Sequence, residues 1–181
     1  MIAVTNHLVL ETERAPQFID ITQDVQAFAR EVRIQNGFIV VFSKHTTAAI
    51  RVGENEPLLL QDLEQFLGGI ASPNGLYKHN DFSIRTVNMT EDECPNGHAH
   101  CQHLLMSTSE TIPVIDGELQ LGKWQSIFLV ELDRPRTREM VLQAVGEKSL
   151  PSCGQYPSNL YCALTTYSAS DRLIVCRMVN N

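Results

Sequence analysis

The chain has 181 residues, of which 43% are apolar and 19% charged, and it carries a formal net charge of -7. Such a length fits one domain with a real core, and the composition argues against disorder. An acidic balance leaves no basic surplus to displace phosphate counterions, so a nucleic-acid partner is not expected.

The opening "MIAVTNHLVLETER" lacks the basic-then-apolar pattern of a signal peptide, and the apolar runs fall short of a membrane span. A cytoplasmic protein with no membrane partner is the expectation. The five cysteines, Cys94, Cys101, Cys153, Cys162 and Cys176, are odd in number and irregularly spaced, which fits reduced thiols better than a disulfide framework.

In chain order, "IAVTNHLVLET" alternates and predicts a strand, with "FIDI" a second. "TQDVQAFAREVRIQNG" sets Ile21, Val25, Phe28 and Val32 at helical spacing, with Gly37 as the stop. "FIVVFSKHTTAAIRV" predicts two strands joined at "SKHTT". In "ENEPLLLQDLEQFLGG", Pro57 suits the first turn of a helix whose apolar stripe is Leu59, Leu63, Phe66 and Leu67. Residues 71 to 97 read as a long polar loop, a type that is usually functional or disordered. "HAHCQHLLMST" is a short helix candidate. "TIPVIDGELQLGKWQSIFLVELD" reads as strand, Asp-Gly turn, strand. "TREMVLQAVG" is another strand, and the tail offers two more around "SASD". The fold class expected is α+β, mostly antiparallel and sandwich-like, with two to three helices.

The stretch "ECPNGHAHCQH" concentrates histidine and cysteine. On a helix turning about 100° per residue, His100 and His103 share a face, Cys101, Leu104 and Leu105 gather opposite, and His98 falls away from both. Three ligands to one ion cannot all come from this helix. The alternative is a capped helix with solvent-facing histidines. His45, at the end of an apolar strand, and His79, in the polar loop, are further metal-ligand candidates. Glu54, Asp81 and Glu110 are candidate carboxylate partners or bases. His7 reads as a surface or edge residue.

Candidate anion binders are Lys44, Thr46 and Thr47, then Ser107, Thr108 and Ser109, then Arg134, Arg136 and Arg138, because hydroxyls and guanidinium forks suit phosphate oxygens. Trp124 lines a pocket or packs. Motifs for nucleophile-elbow hydrolases, P-loop NTPases and dinucleotide-binding folds are absent from the sequence.

The segments "HTTAAIRVGENEP", "YKHNDFSIRTVN", "PNGHAHCQHLLMSTSETIPV" and "GELQLGKWQSIFLVELDRPRTR" resemble the YjbQ family, also called the secondary thiamine-phosphate synthase family. The likeness runs from about residue 5 to 147. It implies a YjbQ-like domain over 1–147 and is silent on 148–181, an extension whose alternating strands are expected from the sequence to add to the same domain rather than cover a neighbouring subunit. It also implies a homotrimer with histidines converging on a pocket near a subunit boundary. Carried over by motif, His45, His79 and His100 are the expected metal ligands, with His98 and His103 in a second tier. Arg134 stands where the family's Asp-Gly-Pro-Arg element has glycine.

The implied activity joins a hydroxymethylpyrimidine diphosphate to a thiazole phosphate and releases pyrophosphate. Lys44, Thr46, Thr47, Ser107, Ser109, Trp124 and Arg136 would bind the phosphorylated substrate, and Glu54, Asp81 and Glu110 would serve as catalytic carboxylates. A divalent ion is implied, zinc-like at histidines or magnesium with the diphosphate. The alternatives are a metal-assisted hydrolase and a non-catalytic trimer that binds a metal or small ligand.

Overall fold

The computed structural model describes residues 1–149 and the strands Leu160–Tyr167 and Asp171–Met178. By contacts the chain divides into Met1–Lys148 and Ser149–Asn181. In the second unit, β9 (Leu160–Tyr167) and β10 (Asp171–Met178) pair antiparallel. Cys153 and the Pro/Gly/Ser-rich link after Ser149 lie outside the described residues.

The first unit holds two antiparallel sheets. The larger runs β1 (Ile2–Glu11), β8 (Thr137–Lys148), β3 (Ile34–Ser43), β5 (Ser109–Ile115) and β6 (Glu118–Leu119). The smaller runs β2 (Gln17–Asp20), β7 (Gln125–Glu131) and β4 (Ala48–Glu54). The expected α+β, mainly antiparallel architecture is the one found, with helices α1 (Thr22–Val32), α2 (Pro57–Ile70) and α3 (Gly97–His103).

Strand β7 explains the layering. Ile127 to Glu131 are all buried, and successive side chains point to opposite faces. Ile127 and Leu129 join Ile39, Val41, Leu142 and the α1 residues Val25 and Phe28 in a core between the sheets. Phe128, Val130 and the following Leu132 join Leu67 and Ala99 in a second core beneath α2 and α3. One strand therefore fixes both apolar layers.

Three local readings differ from the sequence expectation. Helix α1 ends at Val32, because Arg33 takes the left-handed conformation (φ 56°) and its N–H closes on the Arg30 carbonyl; Gly37 then lies inside β3. Asp116 and Gly117 do close a turn at positive φ, as a two-residue hairpin requires. Its second arm, β6, is only two residues long, however, and the chain crosses at Gly122–Trp124 to form β7 in the other sheet. Along α2, Glu56 caps the first turn by accepting the N–H groups of Leu58 and Leu59 at 3.0 and 2.7 Å. Only Leu67 of the predicted stripe is fully buried, and Phe66 is exposed.

Candidate functional site

The β3–β4 connection, residues 44–47, and the β7–β8 connection, residues 132–136, meet at one edge of the sandwich. The Leu132 N–H donates to the Thr47 carbonyl at 3.2 Å. Helix α3 and the single 3-10 turn Lys78–Asn80 close the third side. Gly97 opens α3 flush against Tyr77: a Cβ there would stand 2.5 Å from the Tyr77 Cβ. Its N–H donates to Asn80 Oδ1 at 2.8 Å. The absence of a side chain at Gly97 is what lets α3 approach this close, and the approach brings His79 and His100 together.

Between these elements lies a hollow of about 430 Å³, lined by Thr46, Thr47, His79, Arg85, Asn96, His100 and Arg136 together with Asn88, Thr90 and Glu93. The His79 and His100 rings meet edge to face, with centroids 4.6 Å apart. Burial holds His100 below the ordinary imidazole value, and the neighbouring His79 and Arg85 add to that; burial likewise lowers His98, His103 and His45. These rings are thus biased toward the neutral form, which has a lone pair to offer.

Among the described residues, five buried side-chain atoms lack a hydrogen-bond partner: His79 Nε2, Asn96 Oδ1, His98 Nδ1, Gln102 Oε1 and His103 Nε2. All lie on α3, on its cap residue or on the adjacent turn. Buried polar groups are nearly always paired, and two of these residues, His79 and Asn96, line the hollow. The alternative reading of solvent-facing histidines on α3 does not hold: His98 is buried, His100 and His103 are half-buried, and Cys101, Leu104 and Leu105 take the exposed side.

The loop bearing His79 is held by Arg85, which donates to the carbonyls of His79 (3.4 Å) and Asn88 (2.7 Å) and pairs with Glu93 at 3.0 Å. Arg136 Nη1 donates to the buried Asp133 carboxylate at 3.1 Å. That carboxylate also takes Asn96 Nδ2 at 3.4 Å and so ties the start of α3 to the Arg136 loop. Arg136 also lines the hollow.

Of the sequence candidates, the structure gathers His79, His100, Thr46, Thr47 and Arg136 at the hollow. His45 is not among the lining residues; its Nε2 accepts the Glu139 N–H at 2.9 Å. Among the described residues, no group of three or more His, Cys, Asp or Glu side chains is arranged to hold an ion. Lys44 pairs with Glu139 at 3.0 Å, and His7 Nδ1 meets the same carboxylate. Glu54 borders a separate, mainly apolar hollow with Phe18, Leu63 and Phe66. Asp81 is exposed and occupied by Ser83, and Glu110 meets Arg51 at 4.0 Å.

Ser107 and Thr108 bond through their carbonyls to Ile50 and Ser43, and Ser109 pairs with Phe42 in the sheet. Arg134 leans on Asp133. Trp124 is exposed beneath Lys123, whose Nζ is 4.4 Å from the ring centroid. Sequence reasoning missed Arg85, Glu93, Asn96 and the Glu131 and Asp133 carboxylates. The signal for the last two was the density of arginines in "ELDRPRTR", which demands local counter-charges.

A family model described as UPF0047 protein YjbQ-like matches residues 6–147. A UPF0047 protein of Methanothermobacter thermautotrophicus is 38% identical over 143 residues, 79% of this chain and 92% of that protein. UPF0047 protein YugU of Bacillus subtilis is 31% identical over 141 residues, 77% and 97% of the two chains. Among solved structures, a YbjQ-like protein of unknown function from Sulfolobus solfataricus aligns with a TM-score of 0.72 at 32% identity, covering 81% of this chain and 99% of that one. A hypothetical protein from Aeropyrum pernix aligns at 0.70 and 38%, covering 80% and 99%. In sequence and in fold alike, then, the chain belongs to the UPF0047 YjbQ-like family.

Proposed function

We propose that the hollow binds a small phosphorylated molecule, and that the chain works as a secondary thiamine-phosphate synthase-like transferase assembled as a homotrimer. The observation that carries the reading is the junction of Arg136, Thr46 and Thr47 with the His79–His100 pair around one cavity. Guanidinium and hydroxyl donors suit phosphate oxygens, and neutral imidazoles beside them suit proton transfer or a metal ion.

The implied divalent ion fits these residues in part. His79 Nε2 is a buried nitrogen without a partner and His100 abuts it, so these two would hold it; His45 stands outside the lining. Bound there, the ion would offset the charge of a leaving diphosphate. The chain's own residues would bind and orient: Arg136 and the threonines toward phosphate, Arg85 by fixing the loop that carries His79.

A second reading, a non-catalytic ligand-binding trimer, is favoured by the carboxylates. Glu54, Asp81 and Glu110 all lie outside the hollow, and its one lining carboxylate, Glu93, is engaged by Arg85. That arrangement supplies no free carboxylate base, which also weighs against the metal-assisted hydrolase.

The test is to incubate purified protein with the two thiamine precursors, with and without zinc or magnesium. Thiamine phosphate formed above the level of a His100→Ala protein supports the synthase. Pyrophosphate binding without turnover in either metal leaves the binding role, and no binding removes both.

A further inference from the structure

We propose that the buried Arg138, locked by Glu131, is a positioning residue that leaves the Thr47 hydroxyl as a hydrogen-bond donor to the oxyanion of the ligand. The inference rests on reading the hollow as a phosphate site, and it goes further by naming what sets its donors.

Arg138 is 2% exposed, Glu131 fully buried and Thr47 4% exposed. The Glu131 carboxylate receives Nε and Nη2 of Arg138, both at 2.5 Å, the Thr12 hydroxyl at 3.1 Å, and the backbone N–H groups of Leu132 and Asp133 at 3.1 and 2.9 Å. Two of these donors are shared, the Leu132 N–H with the Thr47 carbonyl at 3.2 Å and the Thr12 proton with the Arg136 carbonyl at 3.0 Å, but the two-point Arg138 contact and the Asp133 N–H leave neither the carboxylate nor the guanidinium free to turn. Arg138 Nη2 then donates to Thr47 Oγ1 at 3.0 Å.

A guanidinium has donors only, whereas a hydroxyl has one proton and two lone pairs. Thr47 must therefore accept from Arg138, and its proton is left for another partner. The Thr47 carbonyl is already taken by the Leu132 N–H and approached by Arg138 Nη2 at 3.5 Å. Thr47 lines the hollow, and an oxyanion there would meet a hydroxyl polarised from behind by a buried cation.

The same carboxylate sets the opposite wall. By holding the Leu132 and Asp133 amides it fixes the Asp133 side chain on Arg136, and Thr12 joins in by accepting the Arg136 N–H at 2.8 Å. One buried ion pair thus orients both the Thr47 and the Arg136 donors. A buried pair contributes little net stability relative to well-packed apolar residues, so its geometry is the stronger reason for its presence.

Binding of inorganic pyrophosphate, followed by calorimetry, tests this. Thr47→Val should weaken binding about 10- to 100-fold, the range expected for losing a hydrogen bond to a charged group. Thr47→Ser, which restores the hydroxyl, should recover most of that loss. The double variant Arg138→Met/Glu131→Leu should lose a similar factor while keeping its circular dichroism, and adding Thr47→Val to it should cost little more, because the groups act as a unit. Unchanged affinity in Thr47→Val, full affinity in the folded double variant, or additive losses would overturn the proposal. Should the double variant not fold, Arg138→Lys takes its place with the same expectations.

A wild-type protein that ignores pyrophosphate removes the phosphate reading itself. The positioning claim is then read without ligand: amide exchange at Thr47, Leu132 and Asp133 should quicken together in Arg138→Lys, and unchanged protection sinks it.

Discussion

His98, His100 and His103 sit on one short helix, yet each is drawn toward the neutral form by the same first cause, burial; for His100 the nearby His79 and Arg85 reinforce it. His45 is lowered too, by burial and then by Arg138. The sign of the resulting pH dependence follows. In the unfolded chain an imidazole titrates near 6.5, and in the folded chain these groups titrate lower. As pH falls below about 6.5 the unfolded state takes up protons first, so it is favoured. Stability from these groups is full above that value and is lost as pH falls through their folded values. Urea midpoints of metal-free protein should therefore drop between pH 7.5 and 5.5. His98→Gln, which removes a buried ring, should make the drop shallower. A midpoint that rises on acidification, or a His98→Gln protein with the wild-type slope, would show that the rings are not held neutral by the fold.

At the scale of elements, a hydrogen-bonded join between α2 and α3 is made by Gln102. Gln102 is 1% exposed, and its Nε2 donates to the carbonyls of Leu67 and Ala71 at 3.2 and 3.0 Å; the Leu67 carbonyl also closes the last turn by accepting the Ala71 N–H at 3.0 Å, whereas the Ala71 carbonyl lies past the helix end and has no helical donor. Gln102→Met keeps much of the volume and removes the donor, leaving the buried Ala71 carbonyl unpaired, while the Leu67 carbonyl keeps the Ala71 N–H. The expected cost is about 1–3 kcal/mol, read from chemical denaturation, with His79–His100 geometry preserved because Gly97 still seats α3 on Tyr77. A loss well below 1 kcal/mol would mean that water replaces the amide. None of this join was legible beforehand: a glutamine among histidines and leucines carries no period, and its role depends on a helix some thirty residues earlier in the chain. The strands were legible, because a short β-branched and aromatic run such as Phe38-Ile39-Val40-Val41 needs only local sequence. So was the start of α2, since Pro57 fits only the first turn. The end of α1 was not, because Arg33 adopts a conformation that glycine usually signals.

Across the whole first unit, the candidate site was legible where a motif named its residue and illegible where charges had to find partners. His79, His100, Thr47 and Arg136 stand out in the sequence; which carboxylate serves which arginine is decided by the meeting of the 44–47 and 132–136 connections. The proposed assembly raises the same question on a larger surface. The outward face of the five-stranded sheet carries Val9, Phe38, Phe42 and Ile115, between 39% and 55% exposed, and the register sets Phe42 beside Val141 and Phe38 beside Val145 and Pro113. The inward residues Ile39, Val41 and Leu142 already fill the core, so these outward ones have no partner within the unit. An apolar patch across several strands is the kind of surface that a subunit covers. The proposed trimer places that face against its copies, and Phe42→Lys should then break the assembly: a charge at the centre of an apolar contact must either be buried unpaired or keep the copies apart. Sedimentation velocity should show the wild type as a trimer and the variant as a monomer with an unchanged circular dichroism spectrum. A wild type that sediments as a monomer removes the assembly. A variant that remains trimeric moves the contact to another face, with the exposed Phe66 and Leu105 beside α2 as the next surface to charge.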